Sequence, residues 1–238
     1  AVVKMKRRIE TGLDIVFEVD KDSDDTGWLM RLDKQADEQG ITSWTAWDDV
    51  NKVKLDPEAV IEARKEEVGY ILDMNVFKLV DRIEAKRQGV KIVDAKWVDT
   101  NKGDEDNPNL RSRYVGREFN DSKMDGLFAA TPPLEALRYI VHRAATKSSK
   151  SKDKGVMVND VSRAFFEAEA KRLVCCELPE GYPGNEKGDK VGILLKSLYG
   201  TRDAAYNWTE EVAKFMKKSG FVRGIYNPCL YYHPVKDI

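Results

Sequence analysis

The stretch that most constrains this chain is VNDVSRAFFEAEAKR, residues 158–172. One reading makes it an amphipathic helix: Asn159 is a capping residue, Val161, Ala164, Phe165 and Ala168 share a face, and Glu167 stands four residues before Lys171. The segment leading into it, GVMVNDV, is short, β-branched and preceded by a breaker, which favours a strand to about Val161 that turns directly into a helix. Asp160 would then stand where the strand ends, able to project a carboxylate into a cleft while its backbone stays locked in a sheet. An ordinary cap or turn role is the competing account, because short polar side chains bond readily to nearby backbone groups.

The chain has 238 residues and 42% hydrophobic content, enough for one large domain or two small ones with a filled core. A mean hydropathy of −0.54 and the lack of an apolar run near ~18 residues argue against a membrane span, and no membrane partner is expected. The N-terminus lacks the apolar stretch and cleavage site of a secretory signal, so an intracellular setting is expected. Cys175, Cys176 and Cys229 form no CxxC pair, and His142 and His233 lie far apart, so neither a zinc site nor a disulfide framework is expected. The net charge of −1 conceals segregation: residues 14–58 are rich in Asp and Glu, whereas residues 138–154 carry only Asp153 against a run of Lys and Arg.

Residues 1–55 show no long period and are expected to be an acidic connector or small N-terminal subdomain. Asp56 as cap, Pro57 at the first position and Glu58 in the first turn then start a helix. VFKLVDRI and VKIVDAKWVDT read as strands, continued after a turn by LRSRYVGREF. A second helix is expected in ATPPLEALRYIVHRAAT, with Thr131 as cap and a buried stripe of Leu134, Leu137, Val141 and Ala144. A basic loop follows at 147–154. A third helix spans Ala204 to Ser219, with Trp208, Val212 and Phe215 on one face and Gly220 as stop. No internal repeat is present.

The blocks VNDVSRAFFEA, LVCCELPEGYP, KVGILLKSLYGTRDAAYNW and SGFVRGIYNPCLYYH, in this order and spacing, resemble the reverse transcriptase of copia-type LTR retrotransposons. Upstream, EARKEEVGYIL, FKLVD, AKWV, LRSRYVGREFN and FAATPPLEALR are similar to that family's fingers region. The likeness covers roughly residues 60 to 238. It implies an α+β fold over 56–238, the fingers and partial palm of a right-hand polymerase, with an antiparallel sheet packed on helices. It also implies RNA-directed DNA polymerase activity on an RNA template and DNA primer with deoxynucleoside triphosphates. The setting would be a Pol polyprotein with integrase upstream and RNase H downstream, in a cytoplasmic particle or the nucleus.

Nucleotidyl transfer needs divalent metal to neutralise charge spread over the transferring phosphate, and hard carboxylate oxygens to hold that metal. By the resemblance, Asp160 binds two Mg²⁺ ions and the backbone carbonyl of Val161 assists. Phe165 is the aromatic that crowds the sugar 2′ position, with simple core packing of Phe165 or Phe166 as the alternative. Arg111, Arg113 and Arg117 carry the fork that grips phosphate bidentately, and the resemblance favours Arg111 and Arg113 for the incoming triphosphate; a solvated strand face is the other account. In SLYGTRDAAYNW, Tyr199, Gly200 and Arg202 are implied nucleotide contacts, with Gly200 admitting a close backbone approach. The family's usual Gln and Pro are replaced by Asp203 and Ala205, which puts in doubt a carried-over contact at Asp203. Plain packing is the other account of Tyr199 and the preferred one for Trp208, and the Lys-rich loop 147–154 is read as solvated or touching phosphates.

The family's second catalytic block, an aromatic-x-Asp-Asp turn, is expected shortly after CLYYHPVKDI. Asp24–Asp25 and Asp48–Asp49 both precede Asp160, reversing the family order, and are not expected to substitute. The sequence-level expectation is a chain cut before that motif, with little polymerase activity of its own. Apolar surface is expected to be exposed near Val156, Val158 and Leu230, making the chain marginally stable or prone to aggregate. The alternative is a noncatalytic remnant that binds nucleic acid or serves as an interaction module. A phosphatase using Asp160 as nucleophile would want a second Asp where Ser162 stands.

Overall fold

The computed structural model describes residues 2–8, 14–20, 46–104, 106–119, 127, 129–146 and 155–236. The basic loop 147–154 and the Asp24–Asp25 pair lie outside the described residues. Two compact units form: residues 1–68, 98–113 and 178–190 make the first, and residues 69–97, 114–177 and 191–238 the second.

In the first unit, β1 (Val2–Arg8) and β2 (Asp14–Asp20) pair antiparallel, Val2 opposite Asp20. The short strands β3 (Ala46–Trp47) and β4 (Lys54–Leu55) flank a turn organised by Asp48. The Asp48 side chain is buried and its carboxylate accepts the backbone N–H groups of Val50 and Asn51, each at 2.7 Å, and that of Asn101 at 2.8 Å. These donors, Asn101 foremost, hold its carboxyl down at about 2. Asp49 accepts the Asp99 N–H at 2.9 Å, and the Asp99 carboxylate is gripped by Arg64 at 2.6 Å and Ser112 at 2.7 Å. The Asp48–Asp49 pair is therefore occupied in building the turn.

Helix α1 (Pro57–Asp73) begins where the Asp56–Pro57–Glu58 signal places it, and the Asp56 carbonyl accepts the first helical N–H, from Val60 at 3.0 Å. Strands β5 (Phe77–Asp81), β6 (Ile92–Val93), β7 (Ala95–Asn101) and β8 (Leu110–Gly116) follow the predicted segments, and β7 and β8 pair as a two-stranded sheet. The strand predicted through VFKLVDRI stops at Asp81. Arg82 opens a short helix, α2 (Arg82–Arg87), whose charges suit its dipole: Glu84 in the first turn, Lys86 and Arg87 in the last.

The second unit is built on a four-stranded sheet in the order β5, β10 (Lys190–Leu194), β9 (Cys175–Cys176), β6. The expected antiparallel sheet is in fact mixed. β10 and β9 run antiparallel, whereas Ile92 and Val93 pair parallel to Cys175 and Cys176. Val191, Cys175 and Ala85 are its buried centre, with Val80, Val90, Ile92 and Ile193 packed on them. Arg82 forks onto Glu177 with two 2.6 Å bonds, tying α2 to the end of β9.

The helix predicted around LEALRYIVHRAA is α3 (Leu134–Ala145), but Pro133, not Thr131, stands at its N-cap. Its expected buried stripe is overturned: Leu134, Leu137 and Val141 are exposed, and Ala136 is the buried residue. A stripe is buried only where another element packs on it, and among the described residues none covers this one. α4 (Ala164–Glu167) is one turn long. α5 (Ala204–Lys218) matches its prediction, and Gly220 ends it with φ +87. Phe215 nevertheless faces solvent, while Ala204, Asn207 and Ala213 are buried. β11 (Val222–Arg223) pairs antiparallel with β12 (Tyr231–Tyr232), and Arg223 bonds Glu210 on α5 at 2.9 Å.

The strand predicted up to Val161 does not form. Residues 155–161 are irregular and exposed, Val158 at 88%, because no described segment pairs with their backbone, and a strand exists only through its ladder. Val156 and Val158 are exposed as expected; Leu230 is half-buried.

Candidate functional site

Asp160 lies in the exposed segment just before a tight turn, outside any helix. Among the described residues no hydrogen bond or ion pair engages its carboxylate, and Val161 beside it is also exposed. The chain reverses at Arg163, whose left-handed backbone (φ 50, ψ 43) caps α4 without a side-chain bond. A non-glycine residue in this region carries strain of order 1 kcal/mol that surrounding contacts must hold. The Arg163 guanidinium supplies one such contact, lying 3.3 Å from the centre of the Tyr70 ring.

The turn points two rings differently. Phe166 is fully buried, which is the core role considered for either residue of the pair. Phe165 is half-buried, with its ring centre 4.6 Å from that of Tyr199, and Phe166 meets Tyr199 edge-on at 5.9 Å. Two sequence blocks are thus joined through an aromatic cluster.

The loop after Tyr199 is sewn to the end of β8. The Gly116 N–H donates to the Tyr199 carbonyl at 2.7 Å, and the Glu118 N–H to the Gly200 carbonyl at 3.3 Å. Gly200 has φ +80, and a Cβ there would stand 1.9 Å from the Gly116 carbonyl oxygen. The close approach foreseen at Gly200 is therefore made to the protein's own backbone. Beside it is an open groove of about 390 Å³, lined in part by Lys96, Arg117, Phe119 and Gly200. Arg117 bonds Asp94 at 2.8 Å and lies 5.7 Å from the centre of the Phe119 ring.

Beneath this loop sits a charge cluster that sequence reasoning missed. Arg172 donates to both oxygens of Glu118, at 3.0 and 2.8 Å, and to Asp203 at 2.6 Å. Glu118 also accepts the Arg202 N–H at 2.9 Å and faces the Lys91 ammonium at 3.7 Å. Asp203 accepts from Asn207, which also donates to Ser197. Burial alone would raise both carboxyls; the Arg172 fork outweighs it and holds Glu118 and Asp203 below their ordinary values. The bonds from Glu118 and then Asp203 push Arg172 upward. The one signal in the sequence is Asp203, a carboxylate where the resembled family has a neutral Gln; the structure buries that charge, and Arg172 answers it.

Arg111 and Arg113 belong to the first unit. Both are exposed on one face of β8, while Ser112 and Tyr114 between and after them are buried, the alternation of a half-buried strand. Phe165, Tyr199, Gly200, Arg202 and Asp160 belong to the second. Among the described residues no group of three or more His, Cys, Asp or Glu side chains is placed to hold a metal. Asp160 with the Val161 carbonyl offers hard oxygen donors, but these alone do not fit a complete two-metal site. No helix among the described residues is long and apolar enough to cross a membrane.

Comparison with known proteins adds a family. Residues 74–235, more than half of the chain, match the profile of the reverse transcriptase (RNA-dependent DNA polymerase) family. The chain is 29% identical, over 73% of its length, to the retrovirus-related Pol polyprotein from transposon TNT 1-94 of Nicotiana tabacum. It is 24% identical, over 63% of its length, to the retrovirus-related Pol polyprotein from transposon RE2 of Arabidopsis thaliana. It spans 13% and 10% of those two relatives' own lengths. No solved structure matches.

Proposed function

The chain belongs to the reverse transcriptase (RNA-dependent DNA polymerase) family, and on that premise we propose that it is the nucleotide-selecting part of an RNA-directed DNA polymerase within a retrotransposon Pol polyprotein. Its substrates are an RNA template, a DNA primer and deoxynucleoside triphosphates, and its polypeptide neighbours are the integrase and RNase H of the same polyprotein. The reaction joins the primer 3′-oxygen to the α-phosphorus of the nucleotide and breaks the bond to the leaving pyrophosphate.

The observation that supports this reading is the Phe165–Tyr199 contact at 4.6 Å, which brings together two blocks that the resemblance gives to nucleotide contact, five residues beyond an exposed Asp160. Phe165 acts by bulk: its ring excludes a 2′-hydroxyl by collision, a discrimination that needs no hydrogen bond. Arg202 offers a guanidinium to phosphate from a backbone held by Glu118. Arg111 and Arg113, side by side on β8, offer two more for the triphosphate. Asp160 and the Val161 carbonyl would contribute two of the oxygen donors for Mg²⁺, which when bound would supply neutralising charge at the phosphates. A two-metal site needs more carboxylates than Asp160 alone supplies, so its other ligands come from elsewhere in the Pol polypeptide or from residues outside those described.

The test is primer extension on an RNA template by a Pol polypeptide containing this chain. Asp160→Asn is expected to lower extension by more than about a hundredfold, beyond the ~10–100-fold typical of groups that merely support a ligand. Phe165→Ala is expected to raise ribonucleotide incorporation relative to deoxyribonucleotide by at least about tenfold. Full extension with Asp160→Asn removes that residue from the mechanism; unchanged sugar selection with Phe165→Ala removes the steric role.

A further inference from the structure

We propose that Arg172 is the positioning residue of the nucleotide-contacting loop 199–202, holding the backbone of Arg202 from both sides through Glu118 and Asp203. The inference rests on the polymerase reading of that loop. The guanidinium binds Glu118 through two nitrogens and Asp203 through one of them. Glu118 in turn accepts the N–H of Arg202 at 2.9 Å, and Asp203 is the next residue along. One planar group therefore fixes the donor before the Arg202 side chain and the residue after it.

The arrangement is built. The Glu118 side chain is 1% exposed and that of Asp203 9%, and Lys91 at 3.7 Å from Glu118 brings the four charges to neutrality. The loop has little freedom to find another path, since two of its carbonyls, at Tyr199 and Gly200, accept the N–H groups of Gly116 and Glu118, and Gly200 abuts the Gly116 carbonyl. Asp203 also explains itself here. It carries the departure from the family's Gln, its carboxylate is spent on Arg172 and Asn207, and its role is to hold the loop, not the nucleotide. A lysine at 172 would keep the charge but lose the fork that spans two carboxylates.

The test uses steady-state single-nucleotide incorporation and thermal melting of the same Pol polypeptide. Small misplacements of a substrate-contacting group cost up to about a hundredfold. Arg172→Lys is expected to raise the KM for the deoxynucleotide by about tenfold while kcat changes by less than about twofold. The triple variant Arg172→Met, Asp203→Asn, Glu118→Gln removes the buried charges together and is expected to regain the wild-type melting temperature without regaining the wild-type KM. An unchanged KM in Arg172→Lys overturns the proposal. So does a triple variant in which KM recovers along with the melting temperature, which would show only structural support. A wild-type polypeptide that incorporates nothing overturns the polymerase reading, and this proposal with it, whereas failure of the variants alone leaves that reading standing.

Discussion

Single residues here are fixed mainly by backbone chemistry. Gly200 is required because its φ is positive and a Cβ there would collide with the Gly116 carbonyl oxygen. Arg163 adopts a similar backbone without that licence, and its stack on Tyr70 helps to hold it. Asp48 shows the same principle through charge. Its carboxyl is held at about 2 by the N–H of Asn101 and the N–H groups of its own turn, below the ~3.9 of an unfolded chain. A depressed carboxyl stabilises the fold above the unfolded value and loses that contribution as pH falls towards the folded one. The stability difference between wild type and Asp48→Asn is therefore expected to be largest above about pH 4 and to shrink as pH falls to about 2. Chemical denaturation at stepped pH measures it, and a difference independent of pH would contradict it.

At the scale of elements, amphipathic pattern and burial part company. α3 and α5 both carry apolar residues at helical spacing, yet Leu137 on α3 is 57% exposed while Leu198, in the loop before α5, is fully buried. Leu198→Ala is expected to cost about 2–5 kcal/mol, and Leu137→Ala to change stability by no more than about 0.5 kcal/mol. Urea unfolding of the two variants checks both, and equal losses would mean that the α3 stripe is covered after all. Residues 155–161 make the same point for strands: GVMVNDV has strand composition, but composition without a hydrogen-bonding neighbour makes no strand.

For the whole molecule, a near-zero net charge of −1 accompanies exposed apolar side chains at Leu134, Leu137, Met157, Val158, Ile225 and Tyr226. Little charge repulsion opposes contact between such surfaces. The purified 238-residue chain is expected to self-associate, with a sedimentation coefficient that rises across a micromolar concentration series. A monomer unchanged over that series would contradict this.

Much of this protein was settled locally. The Asp56–Pro57–Glu58 start of α1, the glycine stop of α5, the β7 and β8 strands and the ordered blocks that carry the family all act within a few residues, so they are legible in the chain itself. Tertiary structure decided what depends on partners distant in sequence. It paired Ile92 in parallel with Cys175, set Phe165 against Tyr199, left the α3 stripe and the Asp160 segment exposed, and gathered Glu118, Arg172 and Asp203 into one cluster. Propensity and capping are short-range forces, whereas ladders, ring contacts and buried ion pairs exist only once the folded chain brings their two halves together.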